Sequence, residues 1–186
     1  MLQAHVQDLN IRDIPRSTLE RAMHPRQAIG VAVMAALGLT LNNAGRYLVN
    51  AAQKEASSQA ADSSGRKVVR VARKHEGANY KSGGASPKGF DCSGFTWYVY
   101  KKAADMDISR GVEEQWRLGH SVARGKLQPG DLVFFRNTFE RGLSHVGIFI
   151  RKDKFIHAEN EKTGVVISSL ESDYYSKHYA GARRLL

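Results

Sequence analysis

One cysteine occurs in the 186 residues, and it sits in the stretch GFDCSGFTWYVY as Cys92, between an acid and a serine. A thiol attacks only as thiolate, and free cysteine, with a pKa of about 8.5, offers little of it at neutral pH. The local sequence suggests a remedy. Asp91 suits a helix N-cap, which puts Cys92 in the first turn of the aromatic segment that follows. Unsatisfied backbone N–H groups and partial positive charge gather there. That field is expected to lower the thiol pKa, and the same N–H groups can hold an oxyanion. Ser93 and Gly94 are small and leave room for a substrate.

A nucleophile needs a base, and the base needs an orienting partner. Among seven histidines, His145 opens the run HVGIFI and His157 lies in KFIHAE. Side chains alternate faces along a strand, so the loop between these runs decides whether the two rings meet. A two-residue loop at Lys152-Asp153 puts them on opposite faces. A three-residue loop, 151–153, pairs Ile150 with Lys154 and Gly147 with His157. The histidines then share a face as diagonal neighbours, with backbones roughly 7–8 Å apart. The three-residue loop is the expectation, with Asp153 in the left-handed position that Asp tolerates. Taken singly, each residue is ordinary: a lone cysteine is usually core packing, and a histidine at a strand start is usually structural. Their joint occurrence points to thiol–imidazole chemistry. His75, His120 and His178 are expected in loops or at the surface, and no metal-ligand motif is present.

The surrounding pattern supplies the elements. Residues 66 to 76 suit a short amphipathic helix closing near Gly77. The glycine-rich YKSGGASPKGF is loop. From Cys92 the spacing of Phe95, Tyr98, Val99 and Lys102 predicts a helix. LVFF (132–135), HVGIFI (145–150), KFIHAE (154–159), VVISSL (165–170) and the closing AGARRLL read as strands. Helices followed by a strand meander make an α+β fold, its mostly antiparallel sheet burying one face against the Cys92 helix.

Upstream, residues 28–41 (AIGVAVMAALGLTL) are uncharged but, at 14 residues, short of the ~20 a membrane span needs. Residues 1–49 are read as a leader whose apolar segment is a signal or anchor, against the alternative of a core helix. Residues 50–65 lack large apolar side chains and are read as a linker, partly helical at most. The candidate catalytic domain is 66–186. Net charge is +10, and residues 66–186 carry 22 Lys plus Arg against 13 Asp plus Glu. Such a surface favours an anionic envelope polymer. The basic residues are scattered, without zinc-ligand pairs or an RNA-binding aromatic signature, which argues against nucleic acid.

In order, NYKSGGASPKGFDCSGF, LQPGDLVFF, SHVGIFI, KFIHA and YAGARRLL resemble the NlpC family of bacterial cell-wall cysteine peptidases. The resemblance implies a papain-like fold, no cofactor, and cleavage of peptidoglycan stem peptides, often between D-glutamate and diaminopimelate. It implies Cys92 as nucleophile, His145 as base and His157 as the polar residue steering that base. By position, Tyr80 would line the site and help with the oxyanion. Asp91 and Ser93 flank the nucleophile and in some relatives contact a free amino terminus. Ser144, beside the base, and Arg110 with Gln115 are placed near the substrate groove. The family usually has an aromatic residue where Ser82 stands, which suggests a wider cleft. The resemblance also implies a monomer in the cell envelope, periplasmic or secreted, touching membrane only through its N-terminal segment, with delivery as a phage lytic protein or an injected toxin left open. Another thiol-based amidase or acyltransferase, or an inactive wall-binding module, stays open as an alternative.

Overall fold

Alanine, glutamine, lysine and glutamate all favour helix, and they are well represented in the first element of the computed structural model, which describes residues 43–186. Helix α1 runs Asn43–Arg73 without a break. The stretch 50–65, expected to be partly helical at most, lies inside it, because good helix formers need no apolar side chains to continue a helix begun elsewhere. The apolar segment 28–41 lies outside the described residues. Among those described, no helix is long and apolar enough to cross a membrane.

Residues 60–186 form one compact unit. Val68 and Ala72, four residues apart on α1, are fully buried in it. After Gly77, in the left-handed region at φ 82°, the glycine-rich loop forms a two-stranded ribbon, β1 (Ala85–Ser86) and β2 (Gly89–Phe90). Helix α2 (Cys92–Ala104) starts two residues after Phe90, as its aromatic spacing predicts. A short helix α3 (Val112–Trp116) and strand β3 (His120–Ser121) follow. Then come the expected strands: β4 (Leu132–Arg136), β5 (Leu143–Arg151), β6 (Lys154–Asn160) and β7 (Gly164–Ser169). A short helix α4 (Asp173–His178) precedes the closing strand β8 (Tyr179–Arg184). The order β3-β8-β4-β5-β6-β7 makes one six-stranded sheet, antiparallel at each pairing.

The sheet is covered on both faces rather than one. Leu132, Phe134, Val146, Ile148 and Ile156 share a core with Phe95, Val99 and Ala103 of α2. Val133, Phe135, Phe149 and Phe155 point the other way and pack with Leu170 and Tyr175. The uninterrupted LVFF run is what two covered faces require. The second cover, the chain around α4, was not anticipated; its YY pair carries no helical period.

The β5–β6 turn corrects one expectation. The loop has two residues, with Arg151 paired to Lys154, and the left-handed residue is Lys152 at φ 55° rather than Asp153. A β-bulge between Phe149 and Arg151 then inserts the odd residue, and beyond it Phe149 pairs with Phe155 and Ile148 with Ile156. The bulge therefore restores the register that a three-residue loop was expected to set.

Candidate active site

Asp91 adopts extended backbone and caps α2, its Oδ1 accepting from Gly94 N–H at 2.6 Å. Gly94 is required here: a Cβ would stand 2.1 Å from the Gly84 carbonyl oxygen. Cys92 follows the cap directly and is 5% exposed. The backbone N–H groups of Cys92, Ser93 and Val146 favour its thiolate, yet burial and then the Asp91 charge oppose it and prevail. The thiol pKa is pushed up to about 12. The expectation of a lowered pKa from the helix start is thus overturned, because desolvation of a buried sulfur outweighs three amide dipoles.

Val146 also locates the base, since its N–H reaches the thiol and His145 precedes it in β5. His145 Nε2 lies 2.7 Å from His157 Nδ1, the rings nearly perpendicular. The two rings share a face, as the register demands. Gly147 sits between them in the pleat, where a Cβ would come 2.7 Å from the Phe155 ring and 3.1 Å from His157 Cβ. Both histidines are buried. Burial, and then the neighbouring His157, hold His145 well below the usual imidazole range, while Glu159 acts the other way. Burial pushes His157 down to about 3. Thiol and imidazoles are therefore neutral at rest near pH 7.

Beyond His157 the network continues. Its Nε2 lies 3.0 Å from Ser168 Oγ and 3.5 Å from the Tyr175 hydroxyl, and that hydroxyl donates to Glu159 Oε1 at 2.9 Å. Sequence reading missed these three residues. Glu159 carried a signal, since it lies two positions after His157 and thus on the same strand face; Ser168 and Tyr175 carried none. A groove of about 590 Å³ opens beside His145, lined by Thr138, Phe139, Glu159, Tyr174 and Tyr175 among others. Phe139, 62% exposed, stands edge-on over the His145 ring.

The remaining candidates divide. Tyr80 is half-buried, bridged to Phe90, and close enough to Cys92 and Asp91 that, after burial, their charges raise its pKa. The Ser93 hydroxyl donates to the Arg110 carbonyl at 2.6 Å, and Arg110 itself donates to the Gly83 carbonyl while covering Trp97. Those contacts brace the loop against α2. Gln115 is fully buried, bonding Thr96, the Ser93 carbonyl and the Ser109 carbonyl, so it clamps α2 rather than lining a groove. Ser144 Oγ accepts from Thr138 N–H and pairs with the Thr138 hydroxyl, which ties down the segment carrying Phe139. Ser82 is exposed. Among the described residues, no group of three His, Cys, Asp or Glu is placed to hold a metal ion.

The chain is 42% identical over 118 residues to a gamma-DL-glutamyl hydrolase of Bacillus subtilis (strain 168), covering 63% of this chain and 28% of that protein. It is 41% identical over 111 residues to the murein DD-endopeptidase MepS/murein LD-carboxypeptidase of Escherichia coli (strain K12), covering 60% and 57%. The chain thus spans well under two thirds of the length of these curated relatives. A crystal structure of an NlpC/P60 family protein from Bacillus cereus ATCC 10987 superposes with a TM-score of 0.62 at 35% identity, covering 66% of this chain and 40% of that one. The sequence model of the NlpC/P60 family matches residues 77–184, more than half the chain and all of the thiol–imidazole site, and the chain belongs to that family.

Proposed function

We propose that residues 66–186 form a cysteine peptidase domain that hydrolyses peptidoglycan stem peptides through Cys92, His145 and His157. The observation that carries this reading is the 2.7 Å His145–His157 contact on the strand whose next N–H meets the Cys92 thiol. With Nε2 engaged by His157, Nδ1 is the nitrogen of His145 left to serve the sulfur. Because all three groups rest neutral, proton transfer accompanies attack: His145 takes the thiol proton as sulfur bonds to the amide carbonyl carbon. The oxyanion is held by the Cys92 N–H and the Tyr80 hydroxyl. His145 then gives its proton to the leaving amine as the C–N bond breaks, leaving a thioester. Water, losing a proton to His145, releases the acid and restores the thiol.

The bond we favour joins D-glutamate to diaminopimelate. The relative named a gamma-DL-glutamyl hydrolase supports a glutamyl bond, and Asp91 beside the nucleophile suits a nearby free amine on the substrate. A second reading, cleavage at a DD bond, draws support from the relatives named murein DD-endopeptidases. Both readings suit an envelope setting, and the +10 net charge favours retention on an anionic wall polymer.

Purified muropeptides of defined structure, digested and weighed by mass spectrometry, separate the bonds. The expected product is a stem split after D-glutamate with a new free amine. Cys92→Ala should abolish it. His145→Ala should cost about 10²–10⁴-fold in kcat, the range of a general base. His157→Ala should cost less, because an uncharged imidazole steadies the imidazolium less than a carboxylate would. Equal loss at the two histidines would contradict the ranking.

A further inference from the structure

We propose that Ser168, Tyr175 and Glu159 are positioning residues, a relay behind His157 that sets which nitrogen of His145 carries the proton, and that Glu159 supplies the negative charge the histidine pair lacks. The inference rests on the reading of His145 as base. To accept the thiol proton at Nδ1, His145 must carry its own proton on Nε2. That N–H then donates across 2.7 Å to His157 Nδ1, so His157 must carry its proton on Nε2. His157 Nε2 faces two hydroxyls, Ser168 at 3.0 Å and Tyr175 at 3.5 Å, and at least one oxygen must accept.

A hydroxyl rotor alone does not decide this, because it donates or accepts as its neighbours allow. Glu159 removes the ambiguity. An ionised carboxylate only accepts, so the Tyr175 O–H is committed to Glu159 Oε1 at 2.9 Å and its oxygen is left to accept from the histidine side. Every bond then points one way, from His145 through His157 and the hydroxyls to Glu159. Around the pair, Cys92 comes from α2, Glu159 from β6 and Tyr175 from α4. Glu159 is the carboxylate that favours the charged form of His145. Its charge acts through a buried phenol and imidazole, where screening is weak.

Glu159→Gln decides the matter, because it is isosteric at a half-buried position, whereas Tyr175 packs in the core. An amide can donate to the Tyr175 oxygen, turning the phenol proton toward His157 Nε2 and reversing the chain. Nitrogen-15 NMR of the histidine side chains, recorded on the full chain without substrate, reads the tautomers directly. Both histidines of the natural sequence should carry the proton on Nε2, and Glu159→Gln should shift population to Nδ1–H. On muropeptides, kcat should fall about 10–100-fold, as for other groups that orient an active ligand, with KM within twofold. The acid limb of kcat/KM should move to lower pH. Tyr175→Phe removes the phenol and leaves only the Ser168 hydroxyl, which can donate or accept, so it should give a mixture of the two tautomers rather than Nε2–H alone.

Unchanged tautomers, a rise in KM alone, or a loss matched by unfolding would each overturn the relay. The second result would make Glu159 a substrate contact in the groove. An inactive natural sequence with the expected tautomers would instead sink the peptidase reading and leave the relay standing.

Discussion

At Cys92 the amide dipoles of the helix start pull toward thiolate, while burial and the carboxylate one residue upstream pull toward thiol. Asp91 therefore has two effects of opposite value: it caps α2, and its charge makes the nucleophile a weaker acid. These effects can be separated, since asparagine caps a helix about as well as aspartate does but carries no charge. Asp91→Asn should leave the melting temperature nearly unchanged and lower the thiol pKa. Alkylation by iodoacetamide, followed against pH, should rise steadily beyond pH 9 in the natural sequence and turn upward at lower pH in the variant. A natural-sequence profile that levels off below pH 7 would mean that the thiolate forms at rest. The residue types at this position were legible in the sequence; the sign of the pKa shift was not, because desolvation depends on how closely the rest of the chain covers the sulfur.

The β5–β6 hairpin carries both histidines, so its register matters more than that of any other pair of strands. A lysine at φ 55° is an uneasy occupant of its turn, since an L side chain crowds the following carbonyl in that region by roughly 1–2 kcal/mol. Lys152→Gly should remove most of that cost, offset by the extra freedom glycine gives the unfolded chain, for a net gain of about 0.5–1 kcal/mol. A urea titration would show it as a higher midpoint with unchanged slope. Activity should not change, because the bulge at Ile150, not the turn residue, sets the face of His145. The strand runs were readable from alternation and from apolar content, and α2 from its spacing and cap. The bulge was not readable: it inserts one residue without a compositional mark, and only the requirement that two imidazoles meet demanded an odd count somewhere. α4 escaped for a similar reason. Its six residues, DYYSKH, show no complete apolar face, and its purpose, covering Phe135 and Phe155, exists only once the sheet is folded.

Across the whole molecule, holding two imidazoles neutral inside the fold ties stability to pH. Both have folded pKa values below their ordinary 6.5, His157 near 3. The folded state then binds fewer protons than the unfolded chain wherever the unfolded histidines are protonated. Stability from this source is fully present above about pH 6.5 and is lost as pH falls toward the folded values, at about 1.4 kcal/mol per pH unit for each proton excluded. The loss begins well above the carboxylate range, so it precedes ordinary acid unfolding. Thermal melts from pH 7.5 to 4.5 should show a falling midpoint in the natural sequence. His157→Asn, which keeps a polar side chain but cannot titrate, should flatten the slope by about one proton, and its deficit relative to the natural chain should narrow as pH drops. A parallel pair of curves would mean that His157 already binds its proton in the folded state near neutral pH. The His145 imidazolium would then have to form beside a second positive charge, and the direction of proton flow through the pair would have to be drawn the other way.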